Sequence, residues 1–270
     1  MSLRMLNRPL DAPPTVDADA GGDRRPDDEA PMASTTAGGH SRPGPTGPAE
    51  IAPPLPFADR TEAGRALARR LAAADLPEPR VVLALPRGGV PVAAEVARAL
   101  HAPLDLLLVR KIGAPDQPEL AVAALADGTP PRLVIDERAC RLAGVDRDDL
   151  DERARQASAE IARRRLRYLG DRARVAVAGT TAIVIDDGLA TGTTARAALA
   201  ALRDLGPARR ILAVPVGAAE SVAALRAECD AVVCLAEPVP FLAIGLHYRD
   251  FHQVGDDEVL AALGAAGSGG

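Results

Sequence analysis

Two hydrophobic periods alternate along the chain between residues 57 and 235. Short, nearly all-apolar runs occur at "RVVLALP" (80–86), "LDLLLVR" (104–110), 182–186, "RILAVPV" (210–216) and "AVVCL" (231–235), with a weaker one at "RLVID" (132–136). Runs of this length without polar alternation suit strands covered on both faces. Between them lie segments with apolar residues at helical spacing: "FADRTEAGRALARRLAAA" (57–74), "VPVAAEVARAL" (90–100), "DRDDLDERARQASAEIARRRLRYL" (146–169), 193–205 and 219–228. Asp59 or Thr61 can cap the first of these. The alternation predicts an α/β fold of three layers, a mostly parallel twisted sheet with helices on both faces. In such sheets ligands bind beyond the carboxyl ends of the strands, where strand order reverses.

The same pattern bounds the domain. Residues 1–55 are dominated by Pro, Gly, Ala, Thr and Asp. That composition cannot bury enough apolar area to offset its ordering entropy, which predicts a disordered extension. The tail 263–270, ending "GAAGSGG", reads as flexible, leaving one domain over 56–262.

Composition changes the picture little. The chain has 270 residues, 47% hydrophobic and 26% charged, with 2% aromatic and no Trp, so Ala, Val, Leu and Ile must build the core. A net charge of -5 gives no bulk attraction to nucleic acid or anionic membrane. The arginines late in 146–169 follow acids in its first turns, the order that complements a helix dipole, and so read as a solvated helix end. No apolar run is long enough to span a bilayer, and the N-terminus lacks an apolar signal core, so the expected location is the cytoplasm. Cys140, Cys229 and Cys234 show no CxxC spacing and read as buried apolar residues rather than a disulfide or zinc framework.

Chemistry concentrates in "TAIVIDDGLATGTTARAALAALR" (181–203). An apolar strand ends in Asp186 and Asp187, and a small-residue turn then runs into an Ala/Leu-rich helix. Helix-start amides favour an anion, most simply phosphate, and Gly192 permits close backbone approach. Carboxylates beside that loop repel phosphate and must serve another part of the ligand, either sugar hydroxyls or a divalent cation reached through them. A sugar phosphate satisfies both demands. Neither a Walker A loop nor a GxGxxG fingerprint is present.

"AIVIDDGLATGTT" (182–194) resembles the phosphoribosyl pyrophosphate (PRPP) fingerprint of type I phosphoribosyltransferases, with Gly188 standing where that pattern prefers an aliphatic residue. "LPRGGVPVAAEVA" (85–97) is similar to the family's pyrophosphate loop and following helix. "LLLVRKIGAPDQPELAVAALADG" (106–128) resembles the strand and flexible catalytic loop of adenine and xanthine members. The resemblance implies that Asp186 and Asp187 hold the ribose hydroxyls and that Ala190, Thr191, Gly192, Thr193 and Thr194 cradle the 5-phosphate. It implies that Arg87, Gly88 and Gly89 meet pyrophosphate, and that Lys111, with Arg110, closes over it from a mobile loop at 111–128. With Asp187 these two form the implied catalytic set.

Magnesium is the implied cofactor, held mainly by ligand oxygens and water rather than by a protein metal site. The implied partners are PRPP and a small-molecule acceptor, with neither nucleic acid nor membrane, and a homodimer is compatible with the fold. A small C-terminal hood at about 237–259 would cover the acceptor, with Phe241 and Tyr248 able to stack on a nucleobase or else to pack the hood itself. The general base stays open, since the flexible-loop acid of adenine members has only Asp127, displaced by one position, as its counterpart.

The resulting expectation is phosphoribosyl transfer to a nucleobase or other nitrogen acceptor with release of pyrophosphate. A non-catalytic PRPP- or nucleotide-sensing module of the same fold is the alternative. A metal-dependent phosphohydrolase is weaker, because a phosphorylated-Asp mechanism calls for DxD spacing.

Overall fold

A computed structural model describes residues 5–9, 54–117, 120–128 and 131–267. Five strands form a parallel sheet in the order β3-β2-β7-β8-β9. They are β2 (Arg80–Ala84), β3 (Leu104–Leu106), β7 (Thr181–Ile185), β8 (Arg209–Val216) and β9 (Ala231–Ala236). Both faces are buried, as the all-apolar runs require. Val82, Ala84, Ile183, Ile185 and Ile211 join the core that includes α1 (Arg60–Ala72) and α2 (Gly89–Leu100). Val81, Leu83, Ala182, Val184 and Leu212 face the opposite core, with α5 (Thr193–Arg203) and α6 (Ala219–Leu225). The period of two along each strand thus yields the three layers.

From β2 the chain moves to one neighbour, β3, and later returns to the other, β7. The strand order therefore reverses between β2 and β7, and a crevice opens beyond their carboxyl ends.

A second, antiparallel sheet has the order β1-β6-β5-β4, from β1 (Met5–Pro9), β4 (Val109–Gly113), β5 (Ala121–Ala126) and β6 (Arg132–Asp136). It corrects two expectations. The apolar run 104–110 is two strands in two sheets, because an uninterrupted apolar run carries no mark of where one sheet is left for another. The stretch 111–128 contributes both strands of a β4–β5 pair, with Lys111 opposite Ala124. Its Ala-rich half has low intrinsic strand propensity and gives little warning of this.

The expected extension 1–55 contains β1, which pairs with β6 from Met5 opposite Asp136 to Pro9 opposite Arg132. This covers an edge that β6 would otherwise expose. The remainder of 1–53 lies outside the described residues.

Two further helices were not anticipated. Asp136 caps α3 (Glu137–Ala143), whose seven residues are too few to show a period. Of the expected flexible tail, 268–270 lie outside the described residues and 263–267 end α7 (Asp256–Gly267), which buries Val259 and Leu263 and touches α2 and β3. Its Ala/Gly-rich composition hides two core residues four apart. The long helix α4 (Arg147–Leu169) begins on an Asp146 cap, and Asp59 rather than Thr61 caps α1, accepting from the Glu62 amide at 2.8 Å. Among the described residues no helix is long and apolar enough to cross a membrane.

Candidate active site

The crevice is walled by the loops that follow β2 and β7. After β7, Leu189 is pinned on both sides, its amide donating to Val216 at 2.9 Å and its carbonyl accepting from Ala218 at 2.8 Å. The chain then turns through exposed Ala190 and Thr191 to Gly192, whose φ of 73° lies in the left-handed region that glycine tolerates. Gly192 is the N-cap of α5 and no side chain caps that helix. After β2, Gly88 likewise precedes α2 with no side-chain cap. By contrast α1, α3 and α4 are each closed by an aspartate. The α5 start therefore offers its first amides to an anion. At the α2 start the Gly89 and Val90 amides already donate to the Leu85 and Arg87 carbonyls at 3.1 Å and Pro91 has no N–H, so Arg87 supplies the attraction for an anion there.

The two loops touch through their glycines. A methyl on Gly89 would lie 2.6 Å from the Ile185 carbonyl and 3.0 Å from Asp186 Cα. One on Gly88 would collide with the Asp187 carboxylate. Both glycines thus serve the fit between loops, whatever room they leave for a ligand. Arg87 is more than a third exposed and faces Asp256 at 3.8 Å. Asp256, at the start of α7, also pairs with Arg167 at 2.7 Å and accepts from the Tyr168 hydroxyl, contacts that hold its carboxyl below the usual range.

The paired acids differ sharply. Asp187 is 8% exposed and accepts from Arg60 Nε at 2.8 Å, while its backbone carbonyl accepts from the Tyr248 hydroxyl at 2.6 Å. Half-buried Asp186 accepts from the Asp187 amide at 2.9 Å. Desolvation, then the neighbouring Asp187 charge, push Asp186 well above the usual carboxylate range. Desolvation also raises Asp187, against the pull of Arg60. A partner bringing hydroxyl donors or a cation would relieve both acids.

Other expected site residues are distributed differently. Arg110 and Lys111 are consecutive on β4 and so project to opposite faces. Arg110 pairs with Glu160 of α4 at 2.5 Å, whereas Lys111 is exposed and makes no ion pair among the described residues. The two members of the expected Arg–Lys clamp thus lie on opposite faces of β4, with Arg110 engaged by Glu160. Tyr248 is not an open stacking platform. Its ring centroid lies 5.6 Å from Phe57 and 5.1 Å from Phe251, and its buried hydroxyl is engaged. Phe241 is half-buried, its ring centroid 5.2 Å from that of His247.

Gly188 departs from the fingerprint because Ile244 of the hood fills its place. A methyl there would lie 2.5 Å from Ile244 Cγ2. Asp127 is gripped by Arg174 at 2.5 and 2.6 Å and by Arg165 at 3.0 Å, which leaves it no freedom as a general base. The cavity bordered by Asp105, Asp127 and Arg174 shares no lining residue with the loops 86–89 and 186–194.

Sequence reasoning missed Arg60. It is 7% exposed in the first turn of α1, where the helix dipole disfavours a cation, and that misplacement was the available signal. Asp256 was missed along with α7.

Comparison with known proteins agrees with this geometry. A family profile described as the phosphoribosyl transferase domain matches residues 59–248. Two curated Mycobacterium tuberculosis proteins, Rv0571c and MT0597, both named provisionally as phosphoribosyl transferases, are 46% identical over 211 residues. That match covers 78% of this chain and 47% of each relative, so the chain spans about half the length of the curated relatives it matches. The crystal structure of TT1426 from Thermus thermophilus is 42% identical with a TM-score of 0.68, covering 77% of this chain and 98% of that one.

Proposed function

We propose, from the premise that the chain belongs to the phosphoribosyl transferase domain family, that it transfers the 5-phosphoribosyl group of PRPP to a nitrogen acceptor and releases pyrophosphate. The observation that carries this reading is the uncapped α5 start at Gly192 on one side of the Asp186–Asp187 pair, with the Arg87–Gly88 turn packed against Asp187 on the other. A molecule with a phosphate at one end, a diphosphate at the other and a diol between them meets all three features. The α5 start and the Thr191, Thr193 and Thr194 hydroxyls take the 5-phosphate. The Arg87–Gly88 turn at the α2 start takes the pyrophosphate, with Arg87 supplying charge and Lys111 approaching from β4. The acids accept from the ribose hydroxyls.

Magnesium fits this donor set as an ion carried on ligand oxygens. Asp187 is already paired with Arg60, and among the described residues no cluster of three His, Cys, Asp or Glu could hold a metal alone. Bound there, it would help neutralise the pyrophosphate. The protein's own part is positioning and charge neutralisation, since the anomeric carbon passes through an oxocarbenium-like state and leaves pyrophosphate anionic. With Asp127 immobilised, no protein base is assigned, and an acceptor whose nitrogen is already nucleophilic suits the site best. Phe241 is the candidate to face it.

The test is a panel of purine, pyrimidine and simple amine acceptors, each incubated with PRPP and magnesium while pyrophosphate release is followed. Release that depends on one acceptor class supports transfer. PRPP binding with no release across the panel would favour the sensing alternative.

A further inference from the structure

We propose that Arg60 is a positioning residue that fixes Asp187 as an aimed, ionised acceptor and ties that acid to the hood. It rests on the reading that Asp187 holds ribose. The guanidinium makes three separate contacts: Nε donates to Asp187 Oδ2 at 2.8 Å, Nη1 donates to the His252 carbonyl at 2.9 Å, and Cζ lies 4.0 Å from the Phe251 ring centroid. Only a planar, multi-donor cation satisfies all three at once. Asp187 Oδ2 is taken by Arg60, which leaves Oδ1, on a carboxyl that also contacts Asp186, as the oxygen outside that pair. Gly88 lies against the same carboxylate and limits its rotation.

The hood closes the arrangement. Tyr248 donates to the Asp187 carbonyl and stacks on Phe251, the ring beneath the guanidinium. The segment is bound in turn to the entrance of α1, with the Phe57 amide donating to His247 at 2.9 Å and the Arg249 amide to Phe57 at 2.7 Å. One side chain therefore links ribose recognition to the element that covers the acceptor. Moving the hood moves the acid.

The charged and titratable groups around Asp187 are few. Asp186 adjoins it in the same loop, Arg60 faces it from α1, and Tyr248 lies on the hood side. Further out, Asp250 and Glu258 also feel the Arg60 charge. Without Arg60, the only cation that contacts the acid pair among the described residues is lost, and Asp187 would take up a proton at a higher pH than it now does. PRPP affinity should then become pH-dependent in a way that the intact protein's is not.

The experiment compares full-length wild type, Arg60→Lys and Arg60→Met by calorimetric titration with PRPP plus magnesium, and separately with inorganic phosphate, from pH 6 to 8.5. Taking the ratio of variant to wild type at each pH cancels the ligand's own titration. Arg60→Met is expected to weaken PRPP binding at least tenfold at pH 7, and the deficit should narrow as pH rises. Arg60→Lys, which keeps charge but not the fork, should lie between, and phosphate binding should change less than twofold. If Arg60→Met does not fold, the Lys variant carries the test alone. Either variant within twofold of wild type for PRPP, or an equal loss for PRPP and phosphate, overturns the proposal. Neither outcome touches the assignment of PRPP as ligand, provided the wild type binds it. Failure of the wild type to bind PRPP overturns both.

Discussion

The loops after β2 and β7 present groups from two short stretches of sequence, 85–89 and 186–194, each set by the strand before it and the helix after it. The hood side is assembled from afar. Arg60 of α1 meets the His252 carbonyl across 192 residues of sequence and meets Asp187 across 127. The loops at 85–89 and 186–194 are each local in sequence, while the Arg60 and hood contacts exist only once the tertiary fold is complete. On the proposed reading, variation in the hood that keeps the Arg60 and Tyr248 contacts can change what is accepted without rebuilding what is donated.

The two adjacent acids straddle this divide, and substituting them should separate the halves most strongly. Asp187→Asn leaves the buried Arg60 guanidinium without its counter-charge, and breaking a buried pair costs up to about 3–5 kcal/mol, offset in part because desolvation already disfavours the ionised Asp187. A large fall in the ligand-free melting temperature would show it.

Gly89→Ala strikes the contact between the two loops. Its methyl would meet the rigid Ile185 carbonyl, so overpacking of about 1–3 kcal/mol is expected in denaturant unfolding, with loss of PRPP response.

Asp186→Asn should act in the opposite direction from its neighbour. The folded-state pKa of Asp186 is raised, so its favourable contribution is full below the unfolded value of 3.8 and is lost as pH rises through the folded value. At neutral pH that contribution is diminished and the acid burdens the fold. The Asn variant should melt higher than wild type without ligand, by on the order of 0.5–2 kcal/mol, yet lose stabilisation by PRPP. Ligand-free melting curves at pH 7 check the sign.

Smallest is the effect at His252, whose ring lies 2.7 Å from Glu258 and 2.9 Å from Asp250, contacts that raise its pKa in that order. A raised histidine stabilises fully below its unfolded value of 6.5 and loses that contribution as pH rises through its folded value. His252→Ala should flatten this part of the melting profile just above pH 6.5, without altering phosphate binding.

How much of this was legible in sequence follows the same divide. The strand, acid pair, turn and helix at 181–203 are contiguous, so periodicity and helix-start chemistry located them together. The parallel sheet followed from its all-apolar strands. Arg60 could not be paired with Asp187 by any local pattern, and Ile244 explains Gly188 only once the hood is folded over it. Likewise, the Arg110–Lys111 doublet reads as one feature in sequence, but a strand sends its members to opposite sides. The helix α7 escaped because Ala and Gly dilute its two core residues, Val259 and Leu263.

The central claim is that the loops at 86–89 and 186–194 together hold PRPP. It is tested most directly by the melting temperature of the wild-type protein with PRPP and magnesium at about 100-fold the dissociation constant. Binding to the native state alone should stabilise it by about 2.7 kcal/mol, a rise on the order of 5–10 °C for a domain of this size. Ribose 5-phosphate, which lacks the diphosphate for the α2 start, should give a smaller rise at the same concentration. No rise with PRPP, or an equal rise with both ligands, would contradict the account.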